Sequence, residues 1–444
     1  PSSPAPTCSG CGARSVATMC LGSKMYPTIS IIPTKRAELL PWLVQLSAFS
    51  FGALAIAIPS GYSYGPGLLA VISLFVFWRK DYLGCLTKEY KIIAVLLFLY
   101  FLVFLISTIL DGSKLSQLDR PSRALMAILT LPLLARHKIK LEVLLSGFGI
   151  GAIISACIAV YDKFYLGYER AFAFYSMPIQ TGNISMSLGM FCLCGFLWYR
   201  AKGERRWSYF YLLSTLAGMT GSFLSGTRGG WILLPVVVFS ILFFYRGTIS
   251  KRDRKWLLLI LVTVSSIVFT PQSGVIKRVY EAHSDIVRYI DGSERNTSLG
   301  IRFQLWRSAW DSFIEKPILG WGNDGLRISQ KQQLDAGKIT EFIYNFNYHA
   351  HNQYLEDMAK RGLIGLSSLL GILFIPMVIA KSRMAGTSIT SSVFGGLTIV
   401  MATCLTTIDY NLSQAYFAHN SGITFFIFSL VLALSVSLDE DRQL

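Results

Sequence analysis

The chain is 444 residues long, 52% apolar and only 15% charged, with a formal net charge of +16 and a mean hydropathy of +0.49. A soluble domain carries roughly 25% charged residues and breaks its apolar residues into short runs, so this composition excludes a water-soluble enzyme. The apolar residues form long blocks without the alternation of a β-barrel, which leaves an all-α polytopic membrane protein whose blocks suit a hydrocarbon core about 30 Å thick.

Residues 1–37 read as a tail. The first 24 are small and polar, with no apolar run before a cleavage site, so no signal peptide is expected and Met25 is a candidate start. Twelve spans are expected at 38–58, 64–78, 92–110, 121–135, 141–161, 182–199, 208–225, 229–246, 256–270, 362–380, 388–408 and 418–438, so helices 1–9 fill 38–270 and helices 10–12 fill 362–438. Residues 439–444 form a second tail, and the even number of spans puts both tails on one side.

The basic residues sort by side. Lys24, Lys35 and Arg36 share a side with Arg79, Lys80, Lys88 and Lys91, with Arg136, Lys138 and Lys140, and with Arg200, Lys202, Arg205 and Arg206. Arg246, Lys251, Arg252, Arg254, Lys255, Lys381 and Arg383 continue the set. The opposite short connections hold only Lys114, Arg120, Lys163, Arg170 and Arg228. Cations concentrate on the cytoplasmic side of a membrane protein, so both termini are expected in the cytoplasm. The positive charge is thus a topology signal and not a nucleic-acid footprint. Of the eight cysteines, Cys8 and Cys11 form one Cys-x-x-Cys with no second pair, and Cys85 stands apart from Cys157, Cys192, Cys194 and Cys404 in the apolar blocks. Neither a disulfide framework nor a zinc site is expected.

The 271–361 connection differs from the rest. It is long, lies on the outer side, balances acids and bases, and holds Trp306, Trp310 and Trp321 with Tyr344 and Tyr348 close by. That composition predicts a structured, helical outer domain and not a linker. Ile301, Leu305, Ala309 and Phe313 recur at helical spacing, so 301–314 reads as an amphipathic helix. Lys316-Pro317 ends it, and Gly320-Trp321-Gly322 makes a turn. A second helical stretch near 275–290 is expected on the membrane surface.

Three outward groups stand out as chemistry. Arg228 sits in Ser225-Gly226-Thr227-Arg228-Gly229-Gly230, between two spans. It reads either as a bidentate fork for phosphate or as an arginine snorkelling at a helix end. Arg302 heads the amphipathic helix, where an arginine is also at home on a solvated face. His351 precedes the tenth span. An imidazole there is able to take a proton from a hydroxyl nucleophile, or to serve only as a helix-start residue. His349 and His351 point to different faces at i and i+2, and no third ligand is evident, so no metal is expected. Weaker candidates for substrate contact are His349, Tyr354, Arg307, Lys316 and Asn183. Asp162 and Lys163 read as a simple pair, and Trp321 as a packed turn.

These residues resemble the O-antigen ligase family of inverting membrane glycosyltransferases. The family's outer signature is His, then Asn, Ser or Gln, nine residues, Gly, two residues, and Gly, Thr or Tyr, and here His351-Asn352 is followed by nine residues and Gly362-Leu363-Ile364-Gly365. His419-Asn420 repeats the dipeptide, but Leu430 stands where the glycine belongs. The family's Ser/Thr-Arg-Gly hairpin matches Thr227-Arg228-Gly229, and its arginine-headed helix running to Pro-x-x-Gly-x-Gly matches Arg302 through Pro317, Gly320 and Gly322.

The resemblance implies a GT-C-like fold at the bacterial inner membrane with its site on the periplasmic face. It implies an undecaprenyl-pyrophosphate-linked O-antigen donor, a lipid A–core acceptor, and a site in contact with membrane lipids. It further implies His351 as general base, Arg228 and Arg302 on the pyrophosphate, and neither metal nor cofactor. O-antigen polymerases and protein O-oligosaccharyltransferases use the same donor and stand as the alternative. A lipid-linked sugar transporter would place ionisable residues near the bilayer midplane, and the expected spans hold almost none.

Overall fold

A computed structural model describes residues 36–174, 176–248, 250, 275–346 and 349–438. The expected ninth span, 256–270, lies outside the described residues, as do residues 1–35 and 439–444 of the two expected tails. Every regular element among the described residues is helical. Apolar solvent offers no partner to a backbone N–H or C=O, so a spanning segment must satisfy its own, and a helix does so locally.

In chain order the main helices are α1 (Arg36–Ala53), α2 (Tyr64–Ser73), α3 (Lys88–Leu110), α4 (Ser122–Arg136), α5 (Leu141–Val160), α6 (Pro178–Ala201), α7 (Arg205–Leu224) and α8 (Leu234–Phe244). Then come α9 (Val275–Asp291), α10 (Ser298–Glu315), α11 (Gly325–Asp335), α12 (Glu341–Phe346), α13 (Gln353–Met384), α14 (Ser392–Ser413) and α15 (Asn420–Ser437). Six of the described helices, namely α3, α5, α6, α13, α14 and α15, are long and apolar enough to cross a membrane. They make the chain a multi-pass membrane protein.

The bundle is layered from inside out. Helices α6, α14 and α15 are buried along nearly their whole length. Outer helices show apolar residues to their surroundings, as α3 does with Val95, Phe98, Leu99, Ile106 and Ile109. This inversion suits a lipid solvent, where an exposed leucine carries no penalty.

Residues 275–346 form a layer of helices. Helix α10 starts at Ser298, somewhat earlier than its apolar spacing indicates, because Thr297 caps it by accepting from Gly300 N at 3.2 Å. Leu305 packs with Ile339 and Ile343, while Ala309 packs with Leu326, Ala350 and Ala359. Asp111, at the outer end of α3, accepts from the backbone of Asn323 and Asp324, which ties the layer to the bundle.

The two glycine motifs meet here. Gly362 interrupts α13 at φ 61°, ψ −154°, a conformation essentially confined to glycine. The break lets Leu363 N donate to Pro317 O at 2.8 Å. The turn after Pro317 returns the contact, with Trp321 N donating to Ala359 O at 3.0 Å and Gly322 N to Lys360 O at 2.8 Å. A side chain on Gly362 would run into the carbonyl of Ile318. Gly362→Ala is therefore expected to cost about 3 kcal/mol or more, from backbone strain of about 1–3 kcal/mol plus a displaced carbonyl. Thermal unfolding in detergent should show a midpoint lowered by several degrees; an unchanged midpoint would mean the break is not needed.

Candidate active site

The Arg228 hairpin is held by small residues. Helix α7 ends at Leu224, and Arg228–Trp231 form a single 3-10 turn before α8. Thr227 Oγ1 donates to Pro178 O at 3.0 Å, at the start of α6. Leu233 N donates to Asp409 Oδ1 at 2.9 Å, on α14. Any side chain at Gly229 would strike Ser413, and one at Gly230 would strike Asn183 and Tyr410. The hairpin therefore lies flush between α6 and α14, with Arg228 exposed at its tip.

His351 is positioned by α13. Asn352 caps that helix, its Oδ1 accepting from Leu355 N at 3.1 Å. Its Nδ2 donates to Leu412 O at 3.1 Å, on α14. The same end of α14 thus carries both the Arg228 hairpin, against Ser413, and the histidine turn, against Leu412. His351 itself adopts φ 50°, a left-handed backbone that is uncommon outside glycine and concentrated at functional positions. Ala350 N donates to Glu356 Oε2 at 2.7 Å. The His351 ring lies 4.6 Å from that of His349, which lies 5.5 Å from His419.

Arg302 reaches this group from α10. It shares a helix face with buried Leu305 and Ala309, at i, i+3 and i+7, so it turns inward and not toward solvent. Burial lowers its pKa. Its charge in turn acts on His351, whose pKa is lowered first by burial and then by Arg302, with Glu356 opposing. Burial drives His349 and His419 down to about 4. All three imidazoles are therefore neutral near pH 7, and a neutral imidazole can accept a proton.

Other expected contacts are placed differently. Arg307 is exposed on the outer face of α10. Lys316 is not with the histidines; its Nζ lies 3.7 Å above the Trp321 ring. That pair lines a crevice of about 730 Å³ beside Ile106, Leu110, Ile328 and Arg361. Tyr354 OH donates to Ile408 O at 3.2 Å, a helix-packing bond. Asn183 is buried behind the hairpin. Asp162 and Lys163 do not pair: Asp162 Oδ2 accepts from Phe172 N at 2.7 Å, and Lys163 Nζ donates to Glu169 O at 2.6 Å. Backbone groups freed in the loop after α5 take both side chains. Trp321 Nε1 donates to Ser312 O at 3.0 Å, as a packed turn requires.

His419 is the residue that spacing arguments missed. The glycine pattern fails around it, yet it starts α15 as His351 precedes α13, and the fold brings it to the same cluster. The repeated His-Asn dipeptide at a helix start was the available signal. Among the described residues no group of three or more His, Cys, Asp or Glu is arranged to hold a metal ion.

Residues 213–370 match the sequence family described as O-antigen ligase. That stretch contains Arg228, Arg302, His351 and Gly362. An uncharacterized protein of Haemophilus influenzae is 35% identical over 399 residues, covering 89% of this chain and 98% of its own. The chain belongs to the O-antigen ligase family. An O-antigen ligase of Escherichia coli is 25% identical over 179 residues, 40% of this chain and 42% of that one. Membership of that family implies a glycosyltransferase-type membrane enzyme.

Proposed function

We propose that the protein transfers O-antigen polysaccharide from undecaprenyl pyrophosphate to a sugar hydroxyl of lipid A–core, at the periplasmic face of the bacterial inner membrane. In this reading the chain has twelve spans in a GT-C-like arrangement with both termini cytoplasmic, and 271–361 forms the periplasmic layer. The observation that carries the reading is the shared end of α14. Arg228 and His351 flank it, and Arg302 lies close enough to act electrostatically on His351.

The chemistry follows from those groups. His351, neutral at pH 7, takes the proton of the acceptor hydroxyl as its oxygen attacks the anomeric carbon. The bond from that carbon to the pyrophosphate oxygen breaks, and its electron pair stays on the diphosphate. Arg228 and Arg302 meet the charge that develops there, in the way that fixed donors stabilise a leaving oxyanion. One displacement inverts the anomeric centre. His349 borders this space and is a proposed sugar contact, while Asn183, Tyr354, Arg307 and Lys316 are given no contact in this step.

The decisive assay uses purified protein in nanodiscs with a defined lipid-pyrophosphate donor and lipid A–core as sole acceptor. The expected product is a ligated glycolipid with inverted anomeric configuration, formed at the same rate with EDTA present. Product only with a second donor molecule or a protein acceptor would identify a polymerase or an O-oligosaccharyltransferase. Activity lost to EDTA and restored by Mg²⁺ or Mn²⁺ would overturn the metal-independent reaction.

A further inference from the structure

Two acid–base pairs stand side by side on the first turns of α13 and serve different ends. Asp357 and Arg361 form a buried bridge at 2.7 Å. Asp357 also accepts from Gln353 Nε2 at 3.0 Å, and the Arg361 guanidinium lies 3.5 Å over the Phe104 ring. That pair faces α3 and is consumed in packing. Its neighbour, Glu356, faces the histidines. One carboxylate oxygen holds Lys360 at 2.6 Å and the other accepts from Ala350 N at 2.7 Å, the peptide between His349 and His351.

A carboxylate this deeply buried loses its hydration, so it must have a defined purpose or partner. Here the backbone bond fixes the His-Ala-His turn, with His351 in its left-handed conformation. The charged groups around the turn come from several elements. Arg302 approaches from α10, Lys360 from α13, and His419 from the start of α15 with Arg120 behind it. Glu356 is the negative charge among them, and its side chain is 6% exposed.

We propose that Glu356 is the positioning residue for His351: it clamps the turn through Ala350 N and supplies the counter-charge for the imidazolium formed during transfer. This rests on His351 being the general base. Glu356 touches neither substrate nor the moving proton. The acceptor proton goes to His351, the bond electrons go to the diphosphate, and Glu356 stays ionised throughout. The role parallels a buried carboxylate that orients a catalytic imidazole, here acting through the backbone and across space instead of by direct hydrogen bond.

The test is the pH profile of transfer by the full-length protein in nanodiscs. Glu356→Gln keeps an oxygen that can accept from Ala350 N and removes the charge together with the acceptor for Lys360. The expected result is turnover reduced about tenfold to a hundredfold, with an unchanged donor KM, because the base is weaker. The acid limb should also move to lower pH by about half a unit or more, since a lost carboxylate makes imidazolium harder to form. Lys360→Met keeps the carboxylate and removes its cation, at a side chain that is 22% exposed; its acid limb should move to higher pH. Either limb standing still, or moving the other way, overturns the proposal even if one variant cannot be recovered folded. His351→Ala separates the two levels: if it retains turnover, the base assignment fails and this inference with it. If it is dead while the limb stays fixed in Glu356→Gln, only the role of Glu356 fails.

Discussion

His351→Ala should abolish transfer, with turnover down about 10²–10⁴-fold and donor binding nearly unchanged. The geometry explains the split. The imidazole meets the acceptor hydroxyl, while the lipid pyrophosphate is proposed to rest on Arg228 and Arg302. Asn352 caps α13 and holds Leu412 through its own side chain, so removing the imidazole leaves the turn anchored. The direction of the His351 pKa adds a second readout. Burial and Arg302 both favour the neutral ring, so wild-type activity should persist below pH 6.5, the ordinary value for histidine. It should fall only as pH drops through the lowered pKa. A His351→Ala protein with substantial turnover, measured as ligated product per minute, would remove the base from this mechanism.

Arg302→Ala and Arg228→Ala should each slow transfer about 10²–10³-fold, the usual cost of losing one preorganised donor to a developing oxyanion. Lysine at either position should restore only part of the rate, because a point charge does not reproduce a planar two-pronged contact. The two variants are expected to differ in one respect. Arg302 acts on His351, so its removal should raise the histidine pKa and carry the acid limb to higher pH. Arg228, presented by the hairpin that abuts Ser413, should leave that limb in place. Full rescue by lysine would argue against bidentate contact, and identical pH profiles would argue that Arg302 does not neighbour the base in solution.

Much of this protein was legible from residue order alone. Long apolar blocks can satisfy their backbone only as helices, so the all-helical, multi-pass class follows from local chemistry. The end of α10 at Lys316-Pro317 and the turn at Gly320–Gly322 are likewise local, because proline and glycine set backbone geometry at their own positions. The residues of the site could also be nominated, since His351, Arg228 and Arg302 each sit in a recognisable short pattern.

Their arrangement could not. Arg302 reads equally well as solvated from spacing, and only packing of Leu305 and Ala309 turns it inward. Lys316 falls in the same motif as Arg302, yet its stacking on Trp321 carries it into a different crevice. His419 fails the glycine pattern and still joins the histidines, because α15 starts where α13 and α14 meet. Residue order determined which segments are helical and apolar, through rules that act within a few residues. The tertiary structure decided which of the outward groups share a space, because that depends on close approach between helices far apart in the chain.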